Sequence, residues 1–239
     1  MLVQLPPPLA RLAAEPELAA LILDVDGTLA PIVDRPEDAR VPDETRAELV
    51  RLRDRYGLVA CVSGRAGGDA SRLVGVEGIE YVGSHGLELA PEAEEWRGRL
   101  AAFAQTVDWP VEDKGLTVSF HWRTAADPKD AEALLADVAR RAQSEGLDAR
   151  FGRKVLELRP PVHADKGTAV SALLAARGLR RALYAGDDTT DADAFRALRG
   201  LELGVAVAVR SPELPLVLAQ AADVLVDGPA GVLELLRSL

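Results

Sequence analysis

The sequence predicts an α/β protein with a doubly wound parallel sheet and an inserted α+β domain. In six short runs the apolar residues are consecutive rather than alternating with polar ones, which is typical of parallel strands covered on both faces. Helical periodicity separates these runs, and strand–helix alternation of this kind favours a doubly wound layer. Residues 87–161 carry a different, alternating pattern. We therefore predict a core formed by residues 1–86 and 162–239, with a smaller domain at 87–161.

The apolar runs predict the strands of the core sheet. They are Ala20–Val25, Leu58–Val62, Glu80–Gly83, Ala182–Ala185, Gly204–Val209 and Asp223–Val226. Apolar residues at helical spacing precede Gly178 and Gly200, and a glycine is the usual left-handed residue after the last turn of a helix. We therefore expect helices that end just before these two glycines.

The predicted insertion combines strands that have two different faces with one helix. Apolar residues 116, 118, 120 and 122 alternate with Thr117, Ser119, His121 and Arg123. One face is expected to pack on a core and the other to meet water or a ligand. Asp127 followed by Pro128 predicts a capped helix start, and Lys154–Arg159 predicts a further strand.

Composition excludes several classes of protein. The chain has 239 residues, of which 48% are hydrophobic, so it can bury a core. It has 28 Lys and Arg against 38 Asp and Glu, and this acidic balance argues against a nucleic-acid partner. The single Cys61 cannot form an intrachain disulfide, the N-terminus lacks signal-peptide features, and Leu18–Leu23 is too short to span a membrane. We expect a cytoplasmic protein with no membrane partner.

Two aspartates follow the first predicted strand. Asp24 and Asp26 lie in the segment LDVDGTL, and Gly27 permits a sharp turn after them. Ligands of open parallel sheets bind beyond the carboxyl ends of the strands. Neighbouring carboxylates repel each other unless a cation neutralises them, and Mg²⁺ prefers oxygen ligands. Taken alone, however, such a pair is explained better as a turn after a buried strand.

A second acidic cluster follows the predicted strand Ala182–Ala185. Asp187, Asp188 and Asp191 lie in the segment GDDTTD, which opens a helix. An acidic helix start accounts for one of these aspartates through the helix dipole, but poorly for three within five residues. Two strand ends with acidic clusters therefore predict the two halves of a metal site.

Two further segments suit an anionic ligand. Ser63, Gly64 and Arg65 follow a predicted strand, and a small hydroxyl with free backbone N–H groups at a helix start can hold an anion. Lys166 precedes a predicted helix and is one of only four lysines among the 28 basic residues. Individually, each is also explained as an ordinary helix cap or a solvated lysine.

The four segments in this order resemble the haloacid dehalogenase superfamily of phosphotransferases. The resemblance spans DVDGT, SGR, Lys166 and GDDTTD, and it implies a Rossmann-like core with a cap inserted between Ser63 and Lys166. It also implies that Asp24 is the nucleophile, which forms an aspartyl phosphate, and that Asp26 is the general acid/base. By the same resemblance, Lys166 is a catalytic residue that also binds phosphate, together with Ser63, Gly64 and Arg65.

The resemblance further implies a Mg²⁺ cofactor. Its ligands would be the Asp24 carboxylate, the Asp26 backbone carbonyl and Asp187, with Asp188 and Asp191 in support. An anionic nucleophile that meets a phosphate dianion needs positive charge, which Mg²⁺ and Lys166 would provide.

Segments of the insertion and its borders resemble the trehalose-6-phosphate phosphatases. These segments are GSHGLE (83–88), VEDKG (111–115), HWR (121–123) and GRKVLELRP (152–160). The resemblance implies that sugar hydroxyls are bound by Glu112, Lys114, Arg123 and Glu157. Ser84 stands where asparagine is more usual in the family, and Ala192 where glutamate is common. The alternative for these charged residues is a solvent-exposed face of a small sheet.

The resemblance predicts a monomeric, Mg²⁺-dependent phosphatase that converts trehalose 6-phosphate to trehalose and phosphate. Its partner would be a small sugar phosphate, and it would act as the functional partner of a trehalose-6-phosphate synthase. The alternative substrates are mannosyl- or glucosyl-3-phosphoglycerate and sucrose 6-phosphate. A non-catalytic sensor of sugar phosphates is a further alternative, although such proteins lose the nucleophile or the acid/base.

Overall fold

The computed structural model describes residues 6–33, 35–152 and 154–239. The sequence observations on residues 1–5 and on Arg153 lie outside this range. The chain divides into two compact units, Met1–Gly86 with Ala164–Leu239 and Leu87–His163. The sequence-based boundary between 86 and 87 is the same, and the one between 161 and 162 lies two residues earlier.

The strands and helices are numbered along the described chain. The strands are β1 (Ala19–Leu23), β2 (Leu58–Val62), β3 (Glu80–Val82), β4 (Glu112–Asp113), β5 (Val118–His121), β6 (Asp148–Gly152), β7 (Val155–Arg159), β8 (Arg181–Gly186), β9 (Leu203–Arg210) and β10 (Val224–Asp227). The α-helices are α1 (Pro7–Ala14), α2 (Asp43–Arg53), α3 (Gly67–Val74), α4 (Arg97–Ala104), α5 (Pro128–Ser144), α6 (Lys166–Arg177), α7 (Asp191–Leu198), α8 (Leu216–Ala221) and α9 (Gly228–Ser238). Short 3-10 segments lie at Pro16–Leu18, Pro36–Asp38, Ser84–Leu89 and Pro91–Trp96.

The first unit is built on a parallel sheet with strand order β10-β9-β8-β1-β2-β3. Along β1, Leu21 and Leu23 pack into one apolar cluster while Ala20 and Ile22 pack into another. The sheet therefore has an apolar core on each face, as continuous hydrophobic strands require. This confirms the predicted doubly wound α/β architecture, and β1 lies at its centre between β8 and β2.

The second unit is an antiparallel sheet, in the order β4-β5-β7-β6, whose apolar face is covered by α5. Val118 and Phe120 of β5 lie in that core. The predicted helix start is also present, because the Asp127 side chain accepts from the backbone N–H groups of Lys129 and Asp130. Within the described chain, the structure thus contains an α+β unit inserted between β3 and α6.

Three details of the sequence prediction were wrong. The polar face of β5 is not open throughout, because Thr117 and Ser119 are fully buried. Gly178 ends α6 in the left-handed conformation, but α7 is followed by Arg199 in right-handed geometry, so Gly200 is not its cap. Strand β6 was missed, because the alternation in its sequence DARFG has only two apolar residues, Ala149 and Phe151, and its pairing with β7 defines it instead.

Across the described residues, no helix is both long enough and apolar enough to cross a membrane.

Candidate active site

Asp24 lies at the carboxyl edge of the central strand. Its backbone N–H donates to the Ala185 carbonyl of β8 over 2.9 Å, which extends the sheet ladder one residue beyond β1. The chain then turns at Gly27, whose φ of 82° is in the region that favours glycine. The Asp24 residue is only 5% exposed, so its carboxylate is held almost entirely out of water.

Asp191 organises the loop after β8. Its Oδ2 accepts from the backbone N–H groups of Asp187 and Asp188, each at 2.9 Å, and its Oδ1 accepts from the Tyr184 hydroxyl at 2.7 Å. Gly186 is required beside it, because a β-carbon there would lie 2.2 Å from the Asp191 Cγ. The fully buried Asp191 thus fixes the loop that carries Asp187.

Lys166 links the two acidic clusters. It is the first residue of α6, whose start is fixed by a capping box between Asp165 and Thr168. Its Nζ lies 2.8 Å from Asp24 Oδ1 and 2.7 Å from Asp191 Oδ1. Burial opposes its charge, but the two carboxylates outweigh burial and raise the Lys166 pKa, so this buried lysine carries a permanent positive charge.

Three carboxylates form a candidate metal site. Asp24, Asp187 and Asp191 each offer an oxygen, and these oxygens lie within 4.8 Å of one another. Burial raises the pKa of Asp24 well above its ordinary value despite Lys166, and burial together with Asp191 raises the pKa of Asp187 to about 7. Asp187 Oδ1 is buried without a hydrogen-bond partner among the described residues. A divalent cation fits this arrangement, because it would neutralise the carboxylates and satisfy that oxygen.

Asp188 and Asp26 lie apart from that group of carboxylates. The Asp188 side chain is exposed and accepts from the Thr189 hydroxyl at 3.3 Å. The Asp26 carboxylate instead faces Arg65, whose Nε and Nη2 donate to its two oxygens at 2.7 Å each. This bidentate pair was not foreseen from the sequence, where Arg65 was interpreted as a phosphate ligand.

The loop after β2 is hydrogen-bonded to Ser84 and His85, two residues with a strained backbone. Ser63 is buried, and its Oγ accepts from the Arg65 backbone N–H at 3.1 Å. The Ser84 and His85 backbone N–H groups donate to the carbonyls of Arg65 and Ser63, and both residues have positive φ (51° and 53°). The His85 ring lies against Gly64, where a β-carbon would come within 2.7 Å of the ring. A strained backbone at such a place is typical of functional sites.

Ser84 and His85 therefore belong with the loop after β2 in the first unit rather than with the insertion. The sequence analysis grouped them with the substrate motifs of the insertion. The glycines on either side of the pair, Gly83 and Gly86, were the signal available for a special backbone conformation.

Three of the four predicted sugar ligands meet in the second unit. Lys114 Nζ lies 3.6 Å from Glu112 Oε2 and 3.8 Å from Glu157 Oε1. Arg123 is exposed and, within the described residues, makes no ion pair or hydrogen bond, so the structure does not bring it into this group. The sequence analysis left out His121, whose Nε2 donates to Glu112 Oε2 at 2.7 Å.

The sequence profile of the trehalose-phosphatase family matches residues 22–110 and 102–216. The chain belongs to the trehalose-phosphatase family. The match includes the segments that carry Asp24, Ser63, Lys166 and Asp187, as well as the inserted unit.

Proteins of similar sequence support the assignment to the trehalose-phosphatase family. A trehalose-phosphate phosphatase of Mycobacterium avium is 37% identical over 214 residues, which cover 80% of this chain and 54% of that protein. An uncharacterized glycosyl hydrolase of Mycobacterium tuberculosis is 38% identical over 212 residues, 79% of this chain and 16% of that protein. The chain thus spans about half the length of the first relative and a small part of the second.

Solved structures show the same fold for this member of the trehalose-phosphatase family. The C-terminal domain of the C. albicans trehalose-6-phosphate phosphatase superposes with a TM-score of 0.73 at 22% identity, over 96% of this chain and 94% of that one. A haloacid dehalogenase-like hydrolase from Bacteroides thetaiotaomicron superposes with a TM-score of 0.65 at 16% identity, over 92% of this chain and 98% of that one. The haloacid dehalogenase-like fold expected from the sequence is therefore confirmed.

Proposed function

We propose that this chain is a Mg²⁺-dependent phosphatase that hydrolyses trehalose 6-phosphate to trehalose and phosphate. The observation that carries the proposal is the buried Asp24 carboxylate at the edge of the sheet, 2.8 Å from the Lys166 ammonium. Membership of the trehalose-phosphatase family supports the same reaction.

Asp24 is the nucleophile in this proposal. Its Oδ1 is held by Lys166, so Oδ2 attacks phosphorus, an acyl phosphate bond forms, and the bond from phosphorus to the sugar oxygen breaks. Water then attacks the phosphorus of this intermediate, which releases phosphate and regenerates the Asp24 carboxylate. Lys166 offsets the repulsion between the carboxylate and the phosphoryl oxygens in both steps.

Asp26 transfers the protons. It gives a proton to the departing sugar oxygen and afterwards takes one from the attacking water, as a general acid/base must. In this structure both oxygens of Asp26 accept from Arg65, so Arg65 must release at least one of them before Asp26 carries the proton that it donates. The Asp26 side chain is about one-third exposed, so solvent can supply the proton that Asp26 needs before the first step.

The metal would be held by the carboxylates of Asp24 and Asp187 and by the Asp26 backbone carbonyl. When bound, Mg²⁺ supplies positive charge that polarises the phosphoryl group and stabilises its developing negative charge. Both Asp191 oxygens already accept hydrogen bonds, so Asp191 supports the site by fixing the Asp187 loop. Asp188 supports it through its backbone N–H, because its carboxylate is exposed.

Phosphate binding falls to the loop after β2 together with Lys166. Ser63 and Gly64 supply a hydroxyl and backbone N–H groups in the anion-binding arrangement expected there. Arg65 stays a predicted phosphate ligand, although its guanidinium pairs with Asp26 in this structure.

The choice of trehalose 6-phosphate rests on the second unit and on the relatives. Glu112, Lys114 and Glu157 combine acceptors and a donor, which suits sugar hydroxyls because each hydroxyl both donates and accepts. Arg123 is proposed as a fourth ligand. The Mycobacterium avium relative is named as a trehalose-phosphate phosphatase. The reaction that supplies this substrate is a sugar transfer to glucose phosphate, as a trehalose-6-phosphate synthase performs. That the protein is monomeric and cytoplasmic stays a prediction from the sequence.

A panel of phosphate esters tests the substrate. Phosphate release in the presence of Mg²⁺ is compared for trehalose 6-phosphate, sucrose 6-phosphate, glucosyl-3-phosphoglycerate and glucose 6-phosphate. We expect kcat/KM to be highest for trehalose 6-phosphate. Hydrolysis of trehalose 6-phosphate no faster than glucose 6-phosphate would show that the proposed substrate is wrong, and binding of all four without phosphate release would favour the sensor alternative.

A further inference from the structure

The second unit has a polar face on its antiparallel sheet, defined by Glu112, Thr117, Ser119, His121 and Glu157. Glu112 of β4 lies opposite Ser119 of β5, which in turn lies opposite Glu157 of β7. Residues in such register point to the same face of a sheet, and Thr117 and His121 are two positions from Ser119, so they share it. The opposite face packs under α5.

His121 makes the shortest polar contact on this face. Its Nε2 donates to Glu112 Oε2 at 2.7 Å, whereas Lys114 Nζ lies 3.6 Å from the same oxygen. The backbone at His121 is itself fixed, because its carbonyl accepts from the Trp109 indole N–H at 2.9 Å. The hydrogen bond from His121 also lowers the pKa of Glu112, with a further contribution from Lys114, so Glu112 is a carboxylate near neutral pH.

The two oxygens of Glu112 are used unequally. The hydrogen bond from His121 and the closest approach of Lys114 are both to Oε2, and within the described residues Oε1 accepts no hydrogen bond. Because Oε2 is held in place, the Glu112 side chain is fixed, while Oε1 keeps its lone pairs to accept a hydrogen bond from a hydroxyl of a ligand. Fixing the side chain beforehand also removes the entropy loss of ordering it when a ligand binds.

We propose that His121 is a positioning residue for sugar recognition, which anchors Glu112 Oε2 so that Oε1 accepts from a substrate hydroxyl. The inference rests on the proposed function and deepens it, because it assigns a role in substrate specificity to a residue outside the four predicted sugar ligands. Without His121, Glu112 would keep only the longer contact with Lys114 and would be free to rotate.

Steady-state kinetics of His121→Ala and His121→Gln test the proposal. With trehalose 6-phosphate, we expect His121→Ala to raise KM roughly threefold to tenfold, with kcat within about twofold, as suits loss of a partly exposed hydrogen bond to a charged group. Hydrolysis of p-nitrophenyl phosphate, which has no sugar, should not change. The amide nitrogen of glutamine can take the place of Nε2, so His121→Gln should recover most of the affinity.

Arg140→Ala is the matched control. It breaks an exposed ion pair with Asp137 on α5, the helix that covers the other face of the same sheet, and it should leave both substrates unaffected. Thermal unfolding of each variant checks the fold. If His121→Ala does not fold, the comparison of His121→Gln with wild type and with His121→Phe gives the same test.

A double-mutant cycle with Glu112→Gln separates positioning from direct contact. If His121 acts through Glu112, removing His121 in the Glu112→Gln background should raise KM by less than about twofold. If the double variant instead raised KM by the product of the two single-variant factors, the result would contradict the proposal. An unchanged KM in His121→Ala would contradict it as well. Wild-type hydrolysis of p-nitrophenyl phosphate without any hydrolysis of trehalose 6-phosphate would instead overturn the proposed substrate, and with it this inference.

Discussion

Asp187 should make the metal-free protein less stable as the pH rises. Burial, followed by repulsion from Asp191, raises its pKa in the folded state to about 7 from an ordinary value of 3.8. The folded state therefore holds this proton more tightly than the unfolded state. Its contribution to stability is fully present below about pH 4 and is lost as the pH rises through about 7.

The size of the effect follows from the shift. A difference of about three pKa units at ~1.4 kcal/mol per unit gives about 4 kcal/mol in the free energy of unfolding. Roughly 3 kcal/mol of this falls between about pH 5 and pH 8. Mg²⁺ binds the deprotonated carboxylate, so it should restore stability at the upper end of this range.

Urea unfolding of wild type and Asp187→Asn in metal-free buffer, from about pH 5 to pH 8, measures the effect. The asparagine variant lacks this titration and serves as the reference for the ionisable groups that do not interact with Asp187. We expect the stability of wild type relative to the variant to fall by roughly 3 kcal/mol across the range. A difference that stays constant within about 1 kcal/mol would refute the reasoning, and so would an equal response of both proteins to Mg²⁺.

Two further substitutions test the packing of the site. Lys166→Met removes the buried ammonium between Asp24 and Asp191, and urea unfolding should show a loss of about 3–5 kcal/mol, reduced by added Mg²⁺; a loss below about 1 kcal/mol would contradict the ion-pair account. Gly27→Ala would place a β-carbon 2.2 Å from Asp187 Oδ2 and should weaken Mg²⁺ binding, measured calorimetrically. Gly178→Ala, which has positive φ and no atom nearby, is its control and should leave Mg²⁺ affinity unchanged.

The sequence was sufficient to predict the fold class because each structural element carries its own signal. The apolar runs that became β1, β2 and β8 end at acidic or hydroxyl residues, and parallel strands bring their carboxyl ends to one edge. This is why Asp24 and Asp187 could be assigned to one site before the structure was known.

The contacts that refine the site depend on tertiary packing and left no local pattern. The bidentate pair between Arg65 and Asp26 joins residues that are 39 positions apart. Nothing in either sequence segment shows whether Arg65 pairs with a carboxylate or binds phosphate. Asp191 was expected only to support the metal site, and the way it holds the Asp187 loop could not be foreseen, because it depends on backbone N–H groups that folding brings around its carboxylate. His121 lacked a signal for the same reason, since its partner Glu112 is on another strand.

Phosphate release from trehalose 6-phosphate by wild type and Asp24→Asn tests the central claim most directly. Asparagine keeps the shape of the side chain but removes the anionic nucleophile, so we expect turnover to be abolished while circular dichroism and thermal unfolding still show a folded protein. Turnover of Asp24→Asn equal to that of wild type, in the presence of Mg²⁺, would contradict the assignment of Asp24 as the residue that attacks phosphorus.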